Sequence, residues 1–111
     1  MIVGLRNYAP ALGVAGAVFC AVSANAASPD ARALIGQYCE QCHQVKGVQN
    51  FGNIGPSLVD LKGRYPERKD VEEIISDETK RNPQTAMPPF GRNLVLTKQQ
   101  IETIVDYLYN Q

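Results

Sequence analysis

Apolar positions in this chain fall into one unbroken run and three periodic stretches. The run, Ala11 to Val22, is built of small apolar residues, follows a short positive start from Met1 to Arg6, and leads into Ala24-Asn25-Ala26, an A-x-A cleavage pattern. Its twelve residues span about 18 Å as a helix, well short of the ~30 Å hydrocarbon core of a bilayer. A cleaved secretory signal over residues 1–26 is the reading, with the domain at residues 27–111 and no membrane attachment after cleavage. The alternatives are an uncleaved anchor and a lipoprotein signal with Cys20 as the lipidated residue; Phe19 stands where such a signal needs a small side chain.

The periodic stretches predict helices. Ser28-Pro29, a capping hydroxyl before a proline at the first helical position, predicts a start for a helix reaching Gln37 or Cys39, with Leu34, Ile35 and Tyr38 on its apolar face. A second helix is predicted over Val71 to Glu78, with Asp70 and Glu73 as a capping-box-like pair and Ile74 and Ile75 pointing inward. The third has Thr97 and Gln100 as a capping box and Ile101, Ile104, Val105 and Leu108 at i, i+3, i+4 and i+7. A short helical turn fits Ser57 to Leu61. No alternating strand pattern and no internal repeat is present. Two loops separate these elements: Gly47 to Pro56, rich in glycine and asparagine, and Asn82 to Asn93, with Pro83, Pro88, Pro89 and Gly91 around Met87. Loops this long in so small a domain are functional or disordered; because both flank the same chemistry, the functional reading is preferred.

A length of 111 residues allows one small domain. Eleven basic residues balance eleven acidic ones, which removes the global charge that nucleic-acid binding needs. A domain this small has a thin core, and exported domains of its size usually compensate with disulfides. Once Cys20 leaves with the leader, only Cys39 and Cys42 remain, so something other than a disulfide framework must complete the core.

Cys39-Glu40-Gln41-Cys42-His43 is the c-type haem attachment sequence. Two thiols three residues apart can add to the two vinyl groups of one porphyrin, and the adjacent histidine is then placed beneath the iron. Zinc would need further ligands, and the mature chain has no other cysteine or histidine. A redox-active dithiol of the thioredoxin type needs a strand leading into a helix, whereas a helix precedes this pair. A covalent haem c also explains the thin core, because it supplies a large apolar body.

The sixth ligand is argued by elimination. His43 is the only histidine, and Met87 is the only methionine left once Met1 is removed. Met87 lies in Thr85-Ala86-Met87-Pro88-Pro89, which the prolines hold as a stiff loop rather than a helix or inner strand. Met87 is therefore read as the second axial ligand; a gap-filling core methionine, an open site, a lysine or another ligand are the alternatives. With both axial positions filled by His43 and Met87, the site is an electron relay with no catalytic residue of its own, and the thioether raises its potential.

These residues resemble a class I cytochrome c, an all-α fold: a first helix leading into the haem motif, a Gly-Pro, a Met-Pro in a late loop and an amphipathic last helix. The resemblance implies that Pro56 offers its carbonyl to the outer N–H of His43. It also implies that the first and last helices cross near the haem, bringing Leu34, Ile35 and Tyr38 to Ile104, Val105 and Leu108. Asn53-Ile54-Gly55-Pro56-Ser57-Leu58, the stretch Asn82 to Gly91 and Leu96-Thr97-Lys98-Gln99-Gln100-Ile101 are most similar to the SoxX subfamily. That resemblance implies a periplasmic heterodimer with a SoxA-like haem subunit, which joins thiosulfate oxidatively to a cysteine of the SoxYZ carrier. This chain would accept the electrons and pass them to a soluble cytochrome c. The alternative is a free-standing periplasmic monohaem carrier, with a charged ring around the haem edge where the heterodimer needs an apolar patch.

Lesser features are weighed the same way. Arg64 and Tyr65 have donors suited to a haem propionate, although a solvated turn explains them as well, and Arg92 is a further candidate. Glu72, Glu73, Asp77 and Glu78 read as the wet face of a helix. Tyr107 and Tyr109 fit either the haem edge or a partner surface.

Overall fold

The computed structural model describes residues 30–111, together with Gly13 and Gly16. The stretch expected as a signal over residues 1–26, those two glycines apart, and the Ser28-Pro29 start lie outside the described residues. Helix α1 (Ala31–Tyr38) is capped by Asp30, whose carboxylate accepts from the Arg32 amide at 3.0 Å. Helix α2 (Leu61–Arg64) is a single turn entered through Asp60 in the left-handed region at φ 55°. It begins later than the turn expected over Ser57 to Leu61, because the Leu58 amide is committed to the Gln44 carbonyl at 2.8 Å and holds that stretch out of a helix.

Helix α3 (Arg68–Asp77) starts three residues before the expected Val71. Arg68 joins it because its guanidinium reaches Glu72 one turn on and Asp106 on the last helix. The expected capping pair does not form: the N-cap is Glu67, with no side-chain cap bond, and Asp70 instead takes Arg81 as its partner. Asp77 breaks the helix at φ −162°, and Glu78–Lys80 follow as a 3₁₀ turn. Helix α4 (Lys98–Tyr109) has the capping box in full, the Thr97 hydroxyl accepting from the Gln100 amide while the Gln100 side chain accepts from the Thr97 amide. Among the described residues there is no strand, and the fold is all-α.

Helix α4 is the common wall, with α1 and α3 both packed on it. Ile35, Ile104 and Val105 have no solvent exposure to within 1 %, and Leu34 and Tyr38 pack beside them. The segments between the helices complete the core with Val45, Phe90 and Leu96. Phe90 meets Tyr38 edge-on, ring centroids 5.7 Å apart, and so seats the late loop against α1. The Tyr109 hydroxyl donates to the Tyr65 carbonyl and Arg68 lies over the Tyr109 ring, tying the α2–α3 corner to the end of α4. No described helix is long and apolar enough to cross a membrane.

Denaturant unfolding checks this arrangement. Ile104→Ala is expected to cost about 2–5 kcal/mol and Thr97→Ala about 1 kcal/mol. Leu94→Ala, at a side chain left 89 % exposed, should change stability by less than ~0.5 kcal/mol.

Candidate functional site

The end of α1 turns directly into the cysteine motif. The Cys39 amide still bonds to Ile35, and the Cys42 and His43 amides both return to the Cys39 carbonyl at 3.1 and 2.9 Å. The following loop then folds back over the motif: Gly52 donates to Glu40, Gly55 to Cys42 and Leu58 to Gln44, each at 2.8 Å. That rail of three bonds brings Pro56 to the histidine. His43 Nδ1 lies 2.6 Å from the Pro56 carbonyl oxygen.

This bond fixes the chemistry of the ring. A carbonyl oxygen can only accept, so Nδ1 is the protonated nitrogen, and Nε2 is left with a free lone pair. Gly55 makes the approach feasible, since a methyl group built on its α-carbon would overlap the imidazole. The loop composition thus has a local cause: glycine where the backbone lies on the ring, and proline immediately after it.

Cys39, Cys42 and His43 border a cavity of 370 Å³, within the usual range for a small-molecule or cofactor site. Its walls come from every element: Tyr38 of α1, Leu61 of α2, Val71, Ile74 and Ile75 of α3, Ile104 and Leu108 of α4, and Leu58 and Leu96 from the loops. Met87 also lines it, its amide donating to the Thr85 hydroxyl at 3.1 Å. Arg64 and Tyr65 are at the cavity, with the Arg64 guanidinium also bonded to the Ser57 carbonyl. Arg92 is not among the lining residues; it pairs with Asp77.

Two acids expected on a wet face are placed otherwise. Asp77 is only 5 % exposed. Glu78 lines the cavity, where its Oε2 is buried with no hydrogen-bond partner. Helical periodicity put both on the outer side of α3; the break at Asp77 turns them inward, and no sequence signal marks that break. Tyr109 is spent on the Tyr65 carbonyl rather than on the cavity.

The Cys39 thiol is not poised as a reactive thiolate. Burial, then the neighbouring charge of Glu40 and then Cys42, push the Cys39 thiol up to about 11. Redox-active CxxC thiols are shifted the other way, towards the thiolate, so the dithiol reading finds no support. Among the described residues no group of three or more His, Cys, Asp or Glu is placed to hold a metal ion. A porphyrin makes no such demand, since it brings four nitrogens and asks the chain for axial ligands only.

The residues present fit a covalently held haem c. Two thiols and an imidazole with a free Nε2 stand at one border, a thioether also faces the cavity, and the walls are largely apolar. Such a group supplies reversible one-electron chemistry at iron, with a potential set by its axial ligands and surroundings.

Comparison with known proteins agrees. Residues 26–108 match the family model described as Cytochrome C oxidase, cbb3-type, subunit III. No curated protein matches the chain.

Gly55→Ala should displace His43 from the Pro56 carbonyl while leaving both cysteines free to attach haem. Its absorption spectrum is expected to show covalent haem with a large loss of the low-spin, two-ligand form; a spectrum identical to wild type would mean that the Gly55–His43 contact does not govern ligation.

Proposed function

The chain belongs to the family described as Cytochrome C oxidase, cbb3-type, subunit III, a c-type cytochrome that binds haem and transfers electrons, and on that premise we propose that it is the electron-accepting subunit of a SoxAX-type thiosulfate-oxidising complex. The observation that carries the electron-relay part is the cavity bordered by Cys39, Cys42, His43 and Met87. His43 and Met87 would hold the iron of such a haem, with the Pro56 carbonyl keeping the His43 tautomer. Arg64 and Tyr65, both at the cavity, are the donors that would meet the propionates.

The role in sulfur oxidation is supported by the loop sequences Asn53 to Leu58 and Asn82 to Gly91, and by the surface beside the cavity. Ile54, which lines the cavity, is 72 % exposed, and Phe51 and Val59 are exposed in the same stretch of chain. Exposed apolar side chains along this stretch suit a partner that stays bound, whereas a free-standing carrier works from a charged ring. Joining thiosulfate to a carrier cysteine removes two electrons and one proton from the thiol and thiosulfate. The SoxA-like subunit carries out that joining, and this chain takes the electrons one at a time and passes them to a soluble cytochrome. It has no thiol left after haem attachment on which to hold substrate. The chain acts in the periplasm after removal of residues 1–26.

Two measurements test this reading. Met87→Ala should abolish the methionine–iron charge-transfer band and lower the reduction potential, by a fraction of the roughly 0.8 V span that axial ligation commands. Mixed anaerobically with thiosulfate, a SoxYZ carrier and a SoxA-type subunit, the wild-type protein should become reduced, and omitting the SoxA-type subunit should abolish this. Failure to associate with that subunit, together with rapid exchange with soluble cytochromes, would favour the free-standing carrier.

A further inference from the structure

The loop that presents Met87 is fastened to the protein on its far side by an ion pair that lies away from the cavity. Asp77, at the break after α3, is buried, and its carboxylate accepts from Arg92 Nη1 at 3.3 and 3.1 Å through its two oxygens. The same carboxylate accepts from the Thr79 amide and hydroxyl, and Arg92 Nη1 also lies 3.0 Å from the Thr79 hydroxyl oxygen. Beside this cluster the Gly91 and Arg92 amides both donate to the Ser76 carbonyl at 3.1 Å. Gly91 is required there, because a side chain at that position would overlap Ser76. The loop turns from Met87 through two prolines to this fastening within five residues.

We propose that Asp77, Thr79 and Arg92 form a latch that positions the Met87 loop, setting how readily the thioether leaves the iron and exogenous ligands enter. This rests on the reading of Met87 as an axial ligand. The charge arrangement favours the closed loop. A buried carboxylate without a cation is costly, and Arg92 can supply one only when the loop is docked on α3. The hydrogen bond from Thr79, then the charges of Arg92 and Lys80, hold the Asp77 carboxyl below the ordinary carboxylate range against the opposing effect of burial, so the latch stays ionised at neutral pH. On the N-terminal side the Asn82 amide donates to the Glu78 carbonyl at 2.9 Å, and Arg81 just before it pairs with Asp70 of α3, both side chains being exposed. The loop is thus tied to α3 at both ends, and the C-terminal tie is the one built on a buried carboxylate.

Imidazole titration of the oxidised holoprotein reads the latch directly, because imidazole reaches the iron only after Met87 leaves. Asp77→Asn and Arg92→Gln are each expected to raise the apparent affinity for imidazole about tenfold. Arg92→Lys, which keeps the charge, should restore most of the wild-type value. Thr97→Ala lowers stability at the α4 cap, outside both the cavity lining and the latch, and should leave imidazole affinity unchanged. If Asp77→Asn binds imidazole no more tightly than wild type, or no more than Thr97→Ala does, the latch is only structural and the proposal fails. Amide hydrogen exchange separates this from failure of the ligand reading. In Asp77→Asn the Gly91 and Arg92 amides should exchange faster even if wild type were found to lack the methionine–iron band. Unchanged exchange at these two amides would overturn the latch irrespective of the iron's ligand.

Discussion

The hydrogen bond from His43 Nδ1 to the Pro56 carbonyl is the constraint on which the rest of the site depends. It selects one tautomer and so decides which nitrogen can bind a metal. Making it requires the loop after the cysteine motif to lie flat on the imidazole, and that in turn requires Gly55 and the three backbone bonds that rail the loop onto residues 40–44. One contact therefore accounts for the glycine-rich composition, the proline and the path of a segment with no regular secondary structure.

The second loop meets the cavity by different physics. It has no rail of backbone bonds to the motif; instead Phe90 is driven into the core against Tyr38, and Arg92 is drawn to a buried carboxylate. Apolar burial thus sets where the Met87 loop docks, and electrostatics sets how firmly it stays there. The two proposed axial ligands are accordingly held by different means, the imidazole by a direct hydrogen bond and the thioether through a loop fastened five residues away. A relay benefits from this division, because electron transfer asks for little movement at iron while the softer ligand governs access of foreign ligands.

Much of this was legible before the fold was known. The cysteine motif, the capping box at Thr97 and the apolar stripe of α4 each obey a short-range rule, and each is found where the rule put it. The starts of α1, α2 and α3 were less legible. Asp30, Asp60 and Arg68 owe their roles to a local cap, to the commitment of Leu58 to Gln44, and to partners 34 and 38 positions away at Glu102 and Asp106. Asp77 and Glu78 were read as solvated because helical periodicity was carried past a break that no residue pattern announces. Arg92, a candidate for a propionate on the strength of its donors, is paired with Asp77 in the folded chain. Short-range chemistry wrote the attachment site into the sequence; tertiary pairing wrote the latch.

Nuclear magnetic resonance of the reduced, diamagnetic protein tests the central claim most directly. A slowly exchanging proton on His43 Nδ1, no proton on Nε2, and a Met87 methyl resonance shifted far upfield by the porphyrin ring current would all follow from this account. A protonated His43 Nε2, or a Met87 methyl at its ordinary position, would contradict it.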